Sequence, residues 1–217
     1  MPEFTLVENL AIWTLPVVFA ITVHEVAHGW VAKQLGDSTA WMLGRLTLNP
    51  LKHIDPVGTL LVPGLLLALG GIVFGWAKPV PVTYQNLRHP QRDMALVALA
   101  GPLSNLMMAL IWAVLMKIGV LLVEALPLLA LPLLYMGAAG ITINIVLLVL
   151  NLLPIPPLDG GRVLAGLLPG PWAWRLNQLE PYGIFIVLGL MLTGLLGQLL
   201  LPATQAVQQT IYQLMGL

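Results

Sequence analysis

The sequence predicts an all-α polytopic membrane protein with a core of three spans, a re-entrant hairpin and an additional C-terminal span. Three observations carry this. Of 217 residues, 59% are hydrophobic and 8% charged, with a mean hydropathy of +0.92. A soluble domain carries roughly 25% charged residues, so most of this exterior must face lipid. Five apolar stretches (6–31, 57–76, 94–123, 133–153 and 182–201) approach or exceed the ~20 residues a spanning helix needs. The nine Lys and Arg residues gather in the connectors, except Lys117. The chain is expected to be a single membrane-embedded domain over 1–217, with its core at 6–168 and an accessory span and amphipathic tail at 182–217.

The first stretch is preceded by Glu3 and carries Glu8, with no basic residue before it. It reads as a retained span, because a secretory signal begins basic. Lys33, Arg45 and Lys52 follow it; Lys78, Arg88 and Arg92 follow the second stretch; Arg162 and Arg175 follow the fourth. The positive-inside rule assigns these connectors to the cytoplasm, and the N-terminus and the Glu124 connector to the outside. The second stretch then has both flanks on one side. Pro63-Gly64 and Gly70-Gly71 interrupt it, so a re-entrant hairpin is expected, with a short ordinary span as the alternative. Val207, Ile211 and Leu214 recur at helical spacing in an uncharged tail, which is expected to lie on the membrane surface. Cysteine is absent, so disulfides and thiolate metal sites are excluded. No basic stripe offers a nucleic-acid surface.

The first stretch ends in His24-Glu25-Val26-Ala27-His28. Four residues apart, the imidazoles share one helix face about 6 Å apart along the axis, within reach of one ion at ~2.0–2.1 Å. Glu25 is rotated ~100° from His24, towards a metal-bound water more than towards the metal. Zinc would bring such a water to a pKa of about 7, and Glu25 would act as its base. The pattern alone is short. Interfacial histidines, or imidazoles hydrogen-bonded to a neighbouring span, are its other readings. Ionisable side chains at membrane depth are, however, functional sites by default.

A catalytic zinc site takes a third protein ligand. The fourth stretch arrives at the same side as the His pair and ends Asn151-Leu152-Leu153-Pro154-Ile155-Pro156-Pro157-Leu158-Asp159-Gly160-Gly161-Arg162. Its prolines break the helix and its glycines allow close approach, so Asp159 is expected to be the third ligand. A helix cap or an ion pair with Arg162 is its other reading. His53 is the rival ligand, and His89 reads as solvated. The 76–83 segment, with Pro79 and Pro81 between Val80 and Val82, favours an extended edge. It could pair with an unwound substrate by strand addition, or be a plain connector.

These two motifs, with Gly101-Pro102-Leu103-Ser104-Asn105 in the third stretch, resemble the site-2 protease family of intramembrane zinc metalloproteases. The resemblance covers most of 10–163. It implies a three-helix catalytic core, one zinc per chain on His24, His28 and Asp159, and Glu25 as the catalytic residue. It implies that Asn151 lies near the site as a substrate contact, with Asn105 either lining it or packing between helices. Small residues four apart also let membrane helices approach and Asn bridge them, which fits Gly101, Asn105 and Asn144. The expected substrates are single-span membrane proteins or leftover signal peptides within a lipid bilayer. The expected place is the cell membrane, with the site towards the cytoplasmic side. A zinc transporter or a non-catalytic binding protein is the alternative. Many relatives have a span before the one carrying His24 or an inserted peptide-binding domain, neither of which is expected here.

Overall fold

The computed structural model describes residues 4–62, 65 and 75–217. Helix α1 (Leu6–Gln34) opens on a capping box. Thr5 Oγ1 accepts from Glu8 N (3.3 Å), and Glu8 Oε2 accepts from Thr5 N (2.8 Å), which satisfies donors at both ends of the first turn. It ends at Gly36, whose φ of +116° is a conformation glycine adopts without strain. A four-residue turn, α2 (Thr39–Met42), follows. The long helices α3 (Pro90–Leu122) and α4 (Pro127–Asn151) each begin with proline at the first turn, where its missing N–H costs nothing. Then come α5 (Asp159–Leu167), α6 (Gly170–Asn177), α7 (Glu180–Leu192) and α8 (Leu195–Met215). Among the described residues there is no strand.

Among the described residues three helices, α1, α3 and α4, are long and apolar enough to cross a membrane, so the fold is polytopic and all-α. α3 packs against both α1 and α4. Along α3, Trp112 meets Gly140 and Met116 meets Gly137, so α3 and α4 run antiparallel. Small residues at these contacts let the backbones close up. Met108, Ala109, Trp112 and Ala113 of α3, Ile141 and Ile145 of α4 and Ile211 of α8 form the core. Large apolar side chains point outward elsewhere, as Leu121 and Leu128 do, which suits lipid as solvent.

The C-terminal region adds detail to two expectations. The 182–201 stretch is not one straight span: α7 and α8 meet at 84°, because Gly194 takes φ +73° between them. The tail packs on the bundle. It is the second half of α8, where Ile211 is buried and Val207, Tyr212 and Met215 pack on the core. Only Leu214 of its apolar row is exposed. The row finds a groove in the bundle, and Lys117 Nζ reaches Gly216 O (2.6 Å), satisfying a carbonyl at the helix end.

The re-entrant reading of 57–76 falls mostly outside the described residues, Pro63-Gly64 and Gly70-Gly71 included. Its described ends meet. Trp76 N donates to Gly58 O (3.0 Å) and Thr59 Oγ1 to Trp76 O (2.9 Å). Lys78 N donates to His53 O (2.9 Å). The two basic connectors therefore stand side by side.

Candidate metal centre

His24 and His28 leave the same face of α1, and α3 crosses that face. Both rings rest on Gly101: a Cβ there would lie 2.5 Å from His24 Cε1 and from His28 Cε1 and Nε2. The sequence suggested packing for Gly101; it is where the imidazoles sit. Asp159 is the first residue of α5, after a Pro-rich turn closed by Ile155 N to Leu153 O (2.8 Å) and Leu158 N to Ile155 O (2.9 Å). Added Cβ atoms on Gly160 and Gly161 would strike the backbone of Leu152, Leu153 and Pro156. Only glycine lets α5 start so close to the end of α4.

The geometry at the centre is a triangle. His24 Nε2 and His28 Nε2 are 3.0 Å apart, and Asp159 Oδ2 lies 3.2 Å and 3.4 Å from them. Ligands ~2.0–2.1 Å from a tetrahedral ion stand about 3.3 Å from one another, so the edges fit a zinc-sized cation. The protonation pattern points the same way. His28 Nδ1 lies 2.7 Å from Val97 O, an obligate acceptor, so that nitrogen carries the hydrogen. His24 Nδ1 lies 2.6 Å from Asn105 Oδ1 and carries its hydrogen too. In the neutral rings both Nε2 atoms are then bare lone pairs. Asp159 Oδ2 is buried with no hydrogen-bond partner. Three acceptors aimed at one point repel unless a cation joins them. Among the described residues this is the one group of His, Asp and Glu competent to hold a metal.

Glu25 stands beside the triad, partly buried, and its Oε2 accepts from Val80 N (2.8 Å). That amide belongs to a strap, 75–83, without regular secondary structure. Arg45 Nη2 donates to Lys78 O (3.0 Å) and Pro79 O (3.3 Å). At the far end Asp37, fully buried, accepts from Thr83 N (2.6 Å), Thr39 N (3.0 Å) and Asn86 Nδ2 (3.1 Å). Burial pushes the Asp37 carboxyl up, but the hydrogen bonds from Thr39, Thr83 and Asn86 outweigh it, leaving it below its ordinary value. Asp37, Arg45 and the Val80 amide were missed from sequence. The only local signal was Asp37-Ser38-Thr39 after Gly36, an Asx-turn pattern.

The remaining predicted residues fall as follows. Asn105 is fully buried and its amide is spent on His24, on Ala20 O (3.3 Å) and on Asn144 Oδ1 (2.9 Å). It holds an imidazole from behind, which combines the two readings of lining the site and packing between helices. Asn151 ends α4, partly buried, and bonds back to Leu147 O (3.0 Å), with no hydrogen bond to the triad. Val80 is buried, packing towards Gly29. Val82 packs on the Ala32, Leu87 and Val97 cluster. Their side chains anchor the strap. Arg162 pairs with Glu180 (2.7 Å), leaving Asp159 free of it. His53 is buried away from the triad and faces Thr47 O (2.9 Å).

The chain is 39% identical over 201 residues to a Bacillus subtilis protein named "Putative zinc metalloprotease YwhC", covering 92% of this chain and 89% of that one. It is 34% identical over 182 residues to "Putative zinc metalloprotease Rip2" of Mycolicibacterium smegmatis, covering 83% of this chain and 66% of that one. With the Rip2 protein of Mycobacterium tuberculosis it shares 36% over 146 residues, 65% of this chain and 51% of that one. No family model matches the chain, and no solved structure does.

Proposed function

The chain belongs to the family of YwhC and Rip2, proteins named as zinc metalloproteases, and from that premise we propose an intramembrane zinc endopeptidase of the site-2 protease type. His24, His28 and Asp159 hold one zinc ion, and Glu25 is the general base. One observation carries this: three lone pairs converge on a cation-sized point beside a carboxylate. His24 lies ten residues from Gln34 at the end of α1, about 15 Å along the helix. α1 is 29 residues, about 43 Å long, so both ends project beyond a ~30 Å hydrocarbon core and His24 lies in its cytoplasmic half.

Zinc held there supplies Lewis acidity, polarising a carbonyl oxygen and acidifying water. The protein's own residues do the rest. Both imidazoles are fixed through Nδ1, so their Nε2 lone pairs need no reorganisation. Val80 N–H holds Glu25 Oε2, and among the described residues Oε1 carries no hydrogen bond. Glu25 takes a proton from the attacking water there and returns it to the leaving amine. The substrate is a single-span membrane protein or leftover signal peptide, unwound at the scissile bond. The strap presents a backbone edge for it by strand addition, and replacing Val80 and Val82 by Gly is expected to lower cleavage. Unchanged cleavage in that variant would remove strand addition. The protein resides in the cell membrane with its site towards the cytoplasmic side, so product termini map to the cytoplasmic half of the substrate span by mass spectrometry. A zinc transporter would instead need donors spread along a path.

Wild type and Glu25→Gln, purified in detergent and incubated with a model span, test the proposal. The variant is expected to keep its zinc and lose cleavage by ~10²-fold or more. Equal cleavage by both would exclude the enzyme.

A further inference from the structure

Two asparagines, Asn105 and Asn144, sit fully buried where helix α3 faces α4. An amide in an apolar bundle is costly unless hydrogen-bonded, so their partners define what they do. The two ends of a side-chain amide have the same shape, and only partners decide which way it points.

Asn144 Nδ2 faces Gly140 O at 2.8 Å. A carbonyl can only accept, so the nitrogen is fixed there and Asn144 Oδ1 faces across to α3. It accepts from Asn105 Nδ2 at 2.9 Å. That nitrogen also approaches Ala20 O at the longer distance of 3.3 Å. Asn105 Oδ1 is thereby turned to His24 Nδ1 at 2.6 Å. His28 needs no such chain, because Val97 O meets its Nδ1 directly.

We propose that Asn144 is a positioning residue for the metal centre, acting through Asn105 to keep the His24 Nε2 lone pair turned to the metal. Without Asn144, the Asn105 nitrogen keeps only the longer contact to Ala20 O, which holds the amide less firmly against a flip. A flipped Asn105 puts its NH₂ against His24 Nδ1, which selects the other tautomer and places a hydrogen on Nε2 where the metal binds. The relay ties α4 to a ligand on α1 across α3, so all three spans set one lone pair. This rests on the zinc reading above.

The test is zinc affinity by chelator competition on the full chain in detergent, a readout independent of cleavage. Asn144→Leu is expected to weaken zinc binding about 10-fold, and Asn105→Leu by 10–100-fold, the range typical for partners of ligating histidines. The double variant should bind no more weakly than Asn105→Leu alone, because both act on one bond. Asn105→Asp offers His24 an oxygen in either orientation and sets its second oxygen against Asn144 Oδ1, so in that background Asn144→Leu should not weaken affinity. Asn144→Ser, a gentler change, should weaken binding in the same direction if Asn144→Leu does not fold. Additive losses in the double variant, or wild-type affinity in Asn144→Leu and Asn144→Ser alike, would overturn the relay. A wild type that takes up no zinc would instead overturn the metal reading.

Discussion

The triad and the strap lie next to each other but are held by opposite means. The triad is fixed from behind by the helices that carry it. Each Nδ1 leads within one to three hydrogen bonds to a helix carbonyl: Val97 O for His28, Ala20 O and Gly140 O through the asparagines for His24. The strap has no ladder. Arg45 at one end and Asp37 at the other clamp its backbone, and Val80 and Val82 sink into the helices below. Metal geometry is thus set by packing within the bundle, and the proposed base by a segment held at its two ends. Changes to the first should remove the metal; changes to the second should spare it and slow the reaction.

Gly101→Leu should break this comparison most severely. A side chain there has no room beside either imidazole, and stoichiometric zinc should be absent by elemental analysis even in protein that keeps its helix content. Gly101→Ala should show the same loss in weaker form. On the strap side, Arg45→Ala should leave zinc content intact and lower kcat about 10-fold, the order expected when a general base is misplaced but present. A variant that loses zinc in proportion to activity would erase the distinction.

Asp37 sharpens it through pH. Its folded-state pKa lies below the unfolded value, so its contribution is fully present above the unfolded value of about 3.9 and lost as pH falls through the folded value. Asp37→Asn should melt lower than wild type at neutral pH, by on the order of 1–3 kcal/mol for hydrogen bonds to a buried charge. The difference should shrink in acid. Melts that stay parallel down to pH 3 would contradict the assignment. The smallest effect is expected at Arg162→Ala. Its ion pair with Glu180 is 43% exposed on both sides, and such pairs are worth ~0–1 kcal/mol, so stability should barely move.

The same contrast explains what could be read from the chain. His24, Glu25 and His28 are local: one helix and a four-residue spacing bring them together. Asp159 was reachable because the charge pattern brings α4 to the His side and the prolines turn the chain back. Gly101 showed its smallness but not what filled the space, since that depends on the α1–α3 crossing. Asn105 was left between lining and packing because an amide's role depends on partners 81 and 39 positions away. Asp37 and Arg45 act on residues 46 and 33 positions further on, with no periodicity to announce them. The bend at Gly194 was missed because 182–201 reads as continuously apolar, and apolar runs do not report direction.

X-ray absorption on the zinc-loaded full chain asks most directly whether these side chains bind one ion. Two imidazole nitrogens and a carboxylate oxygen at ~2.0–2.1 Å are expected, with the carboxylate contribution gone in Asp159→Leu. An unchanged spectrum in that variant, or only one imidazole in the wild type, would contradict the metal centre described here.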